Sequence, residues 1–108
     1  MNKTERLEQV LENLGQNLSK LRAENNRRER VNVSIYYTWM NYKVGSSLQR
    51  DIQMHVDLNI CSYNNERIVD TERVIERQQA LYNALQERYN AMLWADIEKI
   101  LNKAPLNA

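Results

Sequence analysis

Apolar and polar side chains alternate on both sides of Gly45-Ser46, and this alternation narrows the available folds more than any other feature of the chain. With Gly45-Ser46 as a two-residue loop, Val31, Val33, Ile35, Tyr37 and Trp39 lie opposite Ile60, Leu58, Val56, Met54 and Ile52. The complementary face then carries Asn32, Ser34, Thr38, Gln53, His55, Asp57 and Asn59. A slip of one residue turns a whole apolar set to water, so the pattern selects its own register. Glycine in the first loop position suits a type II′ turn, whose twist matches the strands. The expectation is a β-hairpin over 31–60 with its turn at 45–46.

Helical spacing flanks this segment. Leu7, Leu11, Leu14, Leu18 and Leu21 form a heptad seam, which predicts a helix over 3–28. Asn2 is placed to cap it, with Glu5 three residues on in a capping-box arrangement. The apolar seam stops at Asn25 and Arg28, so this helix is expected to end near Asn25-Asn26. A long second helix over 66–103 follows, capped by Asn64 or Asn65 and stopped before Pro105. The fold class expected from these elements is α+β: a single two-layer domain, 1–108, of helix, β-hairpin and helix. The alternative is an all-α bundle, because Leu48, Ile52, Val56 and Ile60 are spaced by four and also suit a helix over 46–61.

Composition bears on assembly and compartment. A mean hydropathy of −0.73 and 14 asparagines leave a chain of this length little with which to fill a core of its own. A shared core, as in a homodimer built through the long helix, helix 1 or both, is the expectation. The net charge of +1 gives no global attraction to nucleic acid or anionic membrane. No stretch approaches the roughly 18 apolar residues that span a bilayer, and the first residues lack a signal-peptide apolar region. The single Cys61 excludes an internal disulfide and fits a reducing compartment. The expected location is the cytoplasm.

Chemistry is sparse. Ser34, His55 and Asp57 fall close together on the polar face of the expected hairpin, but Ser34 and His55 are diagonal neighbours beyond hydrogen-bond reach. No strand-turn-helix elbow accompanies them. His55 and Cys61 sit on opposite strand faces, so they cannot share a metal. The two glycines lie too far apart for a phosphate loop. The chain therefore reads as a non-enzyme without cofactor or metal.

Two residue sets carry the functional reading. Tyr42, Lys43 and Arg50 at the hairpin tip, with Tyr36 on its outer face, suit a protein contact. Lys20, Arg22, Arg27, Arg28 and Arg30 form a basic cluster at the end of helix 1, fit for phosphates or for anchoring a protein. The expected function is a small interaction protein that binds a protein partner as inhibitor or adaptor. The Asn-rich, Phe-free composition points toward a phage or mobile-element antagonist of a host system. The alternative is a nucleic-acid-binding dimer that uses the Arg cluster.

Two family resemblances accompany this layout. Tyr42-Lys43-Val44-Gly45 is similar to a short stretch of prefoldin subunits, which join two coiled-coil helices through a β-hairpin. The order of elements also resembles that of small nucleoid-associated bacterial proteins, whose dimers are built from helix, strands and helix. Neither resemblance assigns a functional residue here.

Overall fold

In the computed structural model, which describes residues 2–103, the chain is an all-α helical hairpin. Helix α1 runs Lys3–Trp39 and α2 runs Leu48–Lys103. There is no strand among the described residues, so the α+β class and the β-hairpin over 31–60 are both overturned. Residues 31–39 are instead the last turns of α1, 40–47 form the loop, and 48–60 begin α2. The first helix thus extends well beyond 28, and the second starts at Leu48 rather than 66. The helical reading of 46–61 holds from Leu48 onward. Pro105 lies outside the described residues.

Backbone continuity explains why the helix wins over the alternating pattern. Between Gly15 and Gly45 there is no glycine and no proline, so nothing breaks α1 before the loop. Once a helix is nucleated, each further residue adds one hydrogen bond for one residue fixed. β-Branched residues such as Val31, Val33 and Ile35 cost such a helix only a few tenths of a kcal/mol each, of the order of 0.5.

The seam that ends at Leu21 in apolar terms continues in polar ones. Leu7, Leu11, Leu14, Leu18, Leu21, Asn25, Arg28, Asn32, Ile35 and Trp39 alternate spacings of four and three, and all are buried or half-buried. On α2 the matching series is Met54, Asp57, Cys61, Asn64, Ile68, Thr71, Ile75, Gln78, Tyr82, Leu85, Tyr89 and Met92. This is heptad pairing of two helices.

Contacts divide the hairpin into two units. The first contains the described residues up to Leu18 and from Glu76 on. Within it Leu11 and Leu18 are buried, Leu18 being only 3% exposed. Gly15 stands against the ring of Tyr82, and the Tyr89 hydroxyl donates to Glu8 Oε1 at 3.3 Å. The expected cap is present: the Glu5 amide donates to Asn2 Oδ1 at 2.8 Å, and Asn2 Nδ2 donates to Glu5 Oε1 at 3.3 Å. The second unit is Ser19–Ile75, which includes the loop.

A row of polar rungs links the helices inside these units. Asp57, Asn64, Thr71 and Gln78 recur every seven residues on α2, and each is bonded to a side chain of α1. In the second unit Trp39 Nε1 donates to Asp57 Oδ2 at 2.7 Å. Asn64 Nδ2 donates to Asn32 Oδ1 at 3.0 Å, while Asn32 Nδ2 donates to Asn65 Oδ1 at 2.9 Å. Arg28 Nη1 bonds Thr71 Oγ1 at 3.1 Å and Asn25 Oδ1 at 2.8 Å. Asn25 Nδ2 in turn donates to the Ile68 carbonyl at 3.1 Å. The rung of the first unit is Asn17 Nδ2 to Gln78 Oε1 at 2.6 Å. Buried polar groups that are all paired escape the 1–3 kcal/mol that each unpaired one costs, roughly; among the described residues no buried side-chain polar atom lacks a partner.

Candidate interaction surface

The loop and the first turn of α2 hold the three residues expected at a tip, Tyr42, Lys43 and Arg50. Ser47 caps α2 by accepting the Arg50 amide on its hydroxyl at 3.4 Å. Asp51, in the first turn of α2, accepts the Tyr42 hydroxyl at 2.5 Å and the Gly45 amide at 3.1 Å. A carboxylate at this position also faces the positive end of the helix dipole. The Ser46 amide donates to the Lys43 carbonyl at 3.2 Å, which closes a turn with Gly45 as its third residue. Gly45 has φ 92°, the left-handed value that a type II turn requires there. The glycine signal therefore marks a turn, but one that joins helices and is shifted from the expected type II′ position.

Trp39 and Tyr42 meet edge to face with centroids 5.0 Å apart. The Arg50 guanidinium lies over both rings, 5.4 Å from Trp39 and 5.1 Å from Tyr42. Burial, and next the bond to Asp51, raises the Tyr42 hydroxyl pKa. The same bond, followed by the Gly45 amide, lowers that of Asp51. Tyr42 and Arg50 are thus engaged within the chain, where they clamp the loop, whereas Lys43 and Tyr36 remain exposed.

The basic cluster does not gather on one face. At 100° per residue, Lys20 and Arg27 share one flank of α1, Arg22 lies on the other, and Arg30 points away from the seam. Arg28 turns inward to Asn25 and Thr71, with Glu24 Oε2 at 3.7 Å from its Nη2. Only Lys20, Arg27 and Arg30, within roughly 80° of one another on the side away from the seam, are left to form a cationic track.

The residues weighed as chemistry are not assembled either. Asp57 is held by Trp39 and by Gln53 Nε2 at 2.9 Å, and His55 is exposed. Cys61 is buried in the seam, and burial, followed by the charge of Asp57, raises its pKa. Among the described residues no cluster of three metal-ligating side chains occurs, and no helix is long and apolar enough to cross a membrane.

The helix surface does concentrate exposed apolar groups, of which Val33, Tyr37, Ile52, Val56 and Ile60 were expected on the inward face of the hairpin. On α1, Val33, Tyr36, Tyr37 and Met40 line a shallow groove of about 350 Å³, with Tyr37 72% exposed. Ala23, Asn26, Glu29, Arg30 and Val33 line a second groove of about 630 Å³ on the same helix. On α2, Leu48, Ile52, Val56 and Ile60 are all exposed, Leu48 at 78%. The signal for this second set was the spacing of four that supports the all-α alternative. The chain matches no protein-family model, no curated protein and no solved structure.

Proposed function

We propose that this chain is a non-catalytic interaction protein, an adaptor or inhibitor, that binds a protein partner through the outer face of α2 beside the loop. The observation supporting this reading is the row Leu48, Ile52, Val56 and Ile60, exposed on a helix whose other side is already occupied by the seam with α1. Contiguous apolar surface of this kind marks an interaction site in a small protein. A row already set on one helix is presented without reordering, and that limits the entropic cost of binding.

The test places a photo-crosslinking residue at position 52 or 56 and exposes the protein to nuclease-treated lysate of its source cells. One protein, captured in near-stoichiometric amount from both positions and lost with Ile52→Glu or Val56→Glu at unchanged helicity, is the expected result. No crosslink from either position, or capture that survives both substitutions, overturns the reading.

A further inference from the structure

We infer that the outer face of α1 in the second unit, with the recess beside the loop, is a track for a single-stranded nucleic acid. Phosphates lie along Lys20, Arg27, Arg30, Lys43 and Arg50, and an unpaired base stacks on Tyr37. None of these residues belongs to the α2 row, and the inference does not depend on that row.

Placement on α1 is the first support. At 100° per residue, Lys20, Ala23, Arg27, Arg30, Ser34 and Tyr37 share an arc of roughly 100° on the side away from the seam. All six are exposed, and none is a carboxylate. From Lys20 to Tyr37 the arc is roughly 25 Å long at 1.5 Å per residue. Glu24, at its edge, turns to Arg28, with Oε2 3.7 Å from Nη2. Glu29 lies roughly 100° around the helix from Arg30. Among the described residues Lys20, Arg27 and Arg30 have no carboxylate partner, so these charges are open to phosphates. The net charge of the chain is only +1, so it is this local arrangement that attracts a polyanion.

The recess at the loop end is the second. Tyr37 ends the arc and also lines this space of about 540 Å³, with Asn41, Lys43, Ser46 and Arg50. Lys43 and Arg50 have no carboxylate partner among the described residues. Asp51, next to Arg50 in the chain, is occupied by the Tyr42 hydroxyl and the Gly45 amide. The Arg50 guanidinium is held over the rings of Trp39 and Tyr42, which places a fixed cation at the recess. Tyr37 is 72% exposed, with Arg30 two turns behind it and Lys43 and Arg50 in the recess ahead. Cations that follow the phosphates, with a ring that takes a base face, make a sequence-tolerant single-strand site. A base inside a duplex has both faces covered, so the ring selects an unpaired strand.

Fluorescence anisotropy tests the inference on the full chain, with labelled oligo(dT), oligo(rU) and an oligo(dT)·oligo(dA) duplex, each of about 20 nucleotides. Both single strands are expected to bind, the tighter one telling DNA from RNA as the source. The slope of log affinity against log salt should be about −3.5, from the five cations at about −0.7 each. Arg27→Ala with Arg30→Ala should flatten it by about 1.4, and Lys43→Ala by about 0.7. Tyr37→Ala should weaken single-strand binding about 5- to 140-fold at unchanged slope and helicity, and leave duplex affinity as it was. No binding at about 100 µM protein in low salt overturns the inference, and is the outcome if an acidic protein occupies this face instead. So does a slope indifferent to the Arg and Lys substitutions, or a Tyr37→Ala that changes nothing or weakens the duplex equally. None of these readouts involves the α2 row, so failure here is distinguishable from failure of the partner-binding reading.

Discussion

Asn32 of α1 and Asn64 of α2 face each other across the seam, with Asn64 Nδ2 donating to Asn32 Oδ1 at 3.0 Å. Asn32 is 6% exposed and spends its own amide on Asn65. A buried asparagine at a seam position fixes register while giving up stability. Asn32→Leu leaves the Asn64 amide unpaired and should cost roughly 1–3 kcal/mol. Asn32→Leu with Asn64→Leu removes both polar groups and should recover that loss, at the expense of a unique pairing. Urea titration of the four members of this double-mutant cycle measures the first effect, and the dispersion of amide resonances the second.

Substituting alanine at the two glycines should have opposite effects. A Cβ on Gly15 meets the Tyr82 ring at 3.7 Å, an ordinary contact, so Gly15→Ala should stabilise α1 by about 0.5–1 kcal/mol. Gly45 has φ 92° with open space around it, so Gly45→Ala gains no contact and incurs about 1–2 kcal/mol of left-handed strain. Thermal and urea midpoints of the two variants check both signs.

The loop clamp makes stability depend on pH at both extremes. The Asp51 pKa is lowered from its ordinary 3.8, chiefly by Tyr42, so its contribution is full above that value and lost as pH falls through the lower folded pKa. The Tyr42 pKa is raised from 10.0, chiefly by burial, so its contribution is full below that value and lost as pH rises through the higher folded pKa. Tyr42→Phe should therefore abolish the alkaline loss belonging to this residue. Melting temperatures of wild type and variant across pH 2–12 (roughly the span these directions require) give the comparison.

Cys61 should be a reporter of opening rather than a reactive thiol. It is buried, and its pKa is raised by burial and by Asp57. Modification by a thiol reagent should proceed only through open states, slowing by about tenfold for each 1.4 kcal/mol of opening free energy. Rates that rise with urea in parallel with the unfolding equilibrium confirm this; rapid modification in buffer refutes it.

The ends of the fold are legible in the sequence, and its middle is not. The Asn2 cap, the leucine seam to Leu21 and the helix over 66–103 follow from spacing that is both regular and apolar. Past Leu21 the spacing persists but the chemistry changes to Asn25, Arg28 and Asn32, and a search for apolar periodicity stops there. Meanwhile Val31 and Ile35, four apart, share one side of the helix while Val33 lies on another, and over so short a run that spacing mimics the alternation of a strand. At the candidate site, the turn at Gly45 and the grouping of Tyr42, Lys43 and Arg50 were readable from the sequence. The inward turn of Arg28 was not, because it depends on Thr71, which lies far along the chain.

The polar rungs also have a calorimetric consequence. Apolar exposure on unfolding is what raises heat capacity, whereas polar exposure lowers it. In a hairpin whose buried apolar residues are Leu11, Leu18 and Cys61, and whose seam sets asparagine, threonine and arginine among its apolar positions, the two terms partly offset one another. The hairpin taken alone should fall below the usual 12–15 cal/mol/K per residue, roughly. Its stability curve is then shallow: warming and cooling shift the balance slowly, and the melt is broad. Whatever covers the outer apolar faces would supply the missing heat capacity, so the sharpness of a melt becomes a gauge of occupancy.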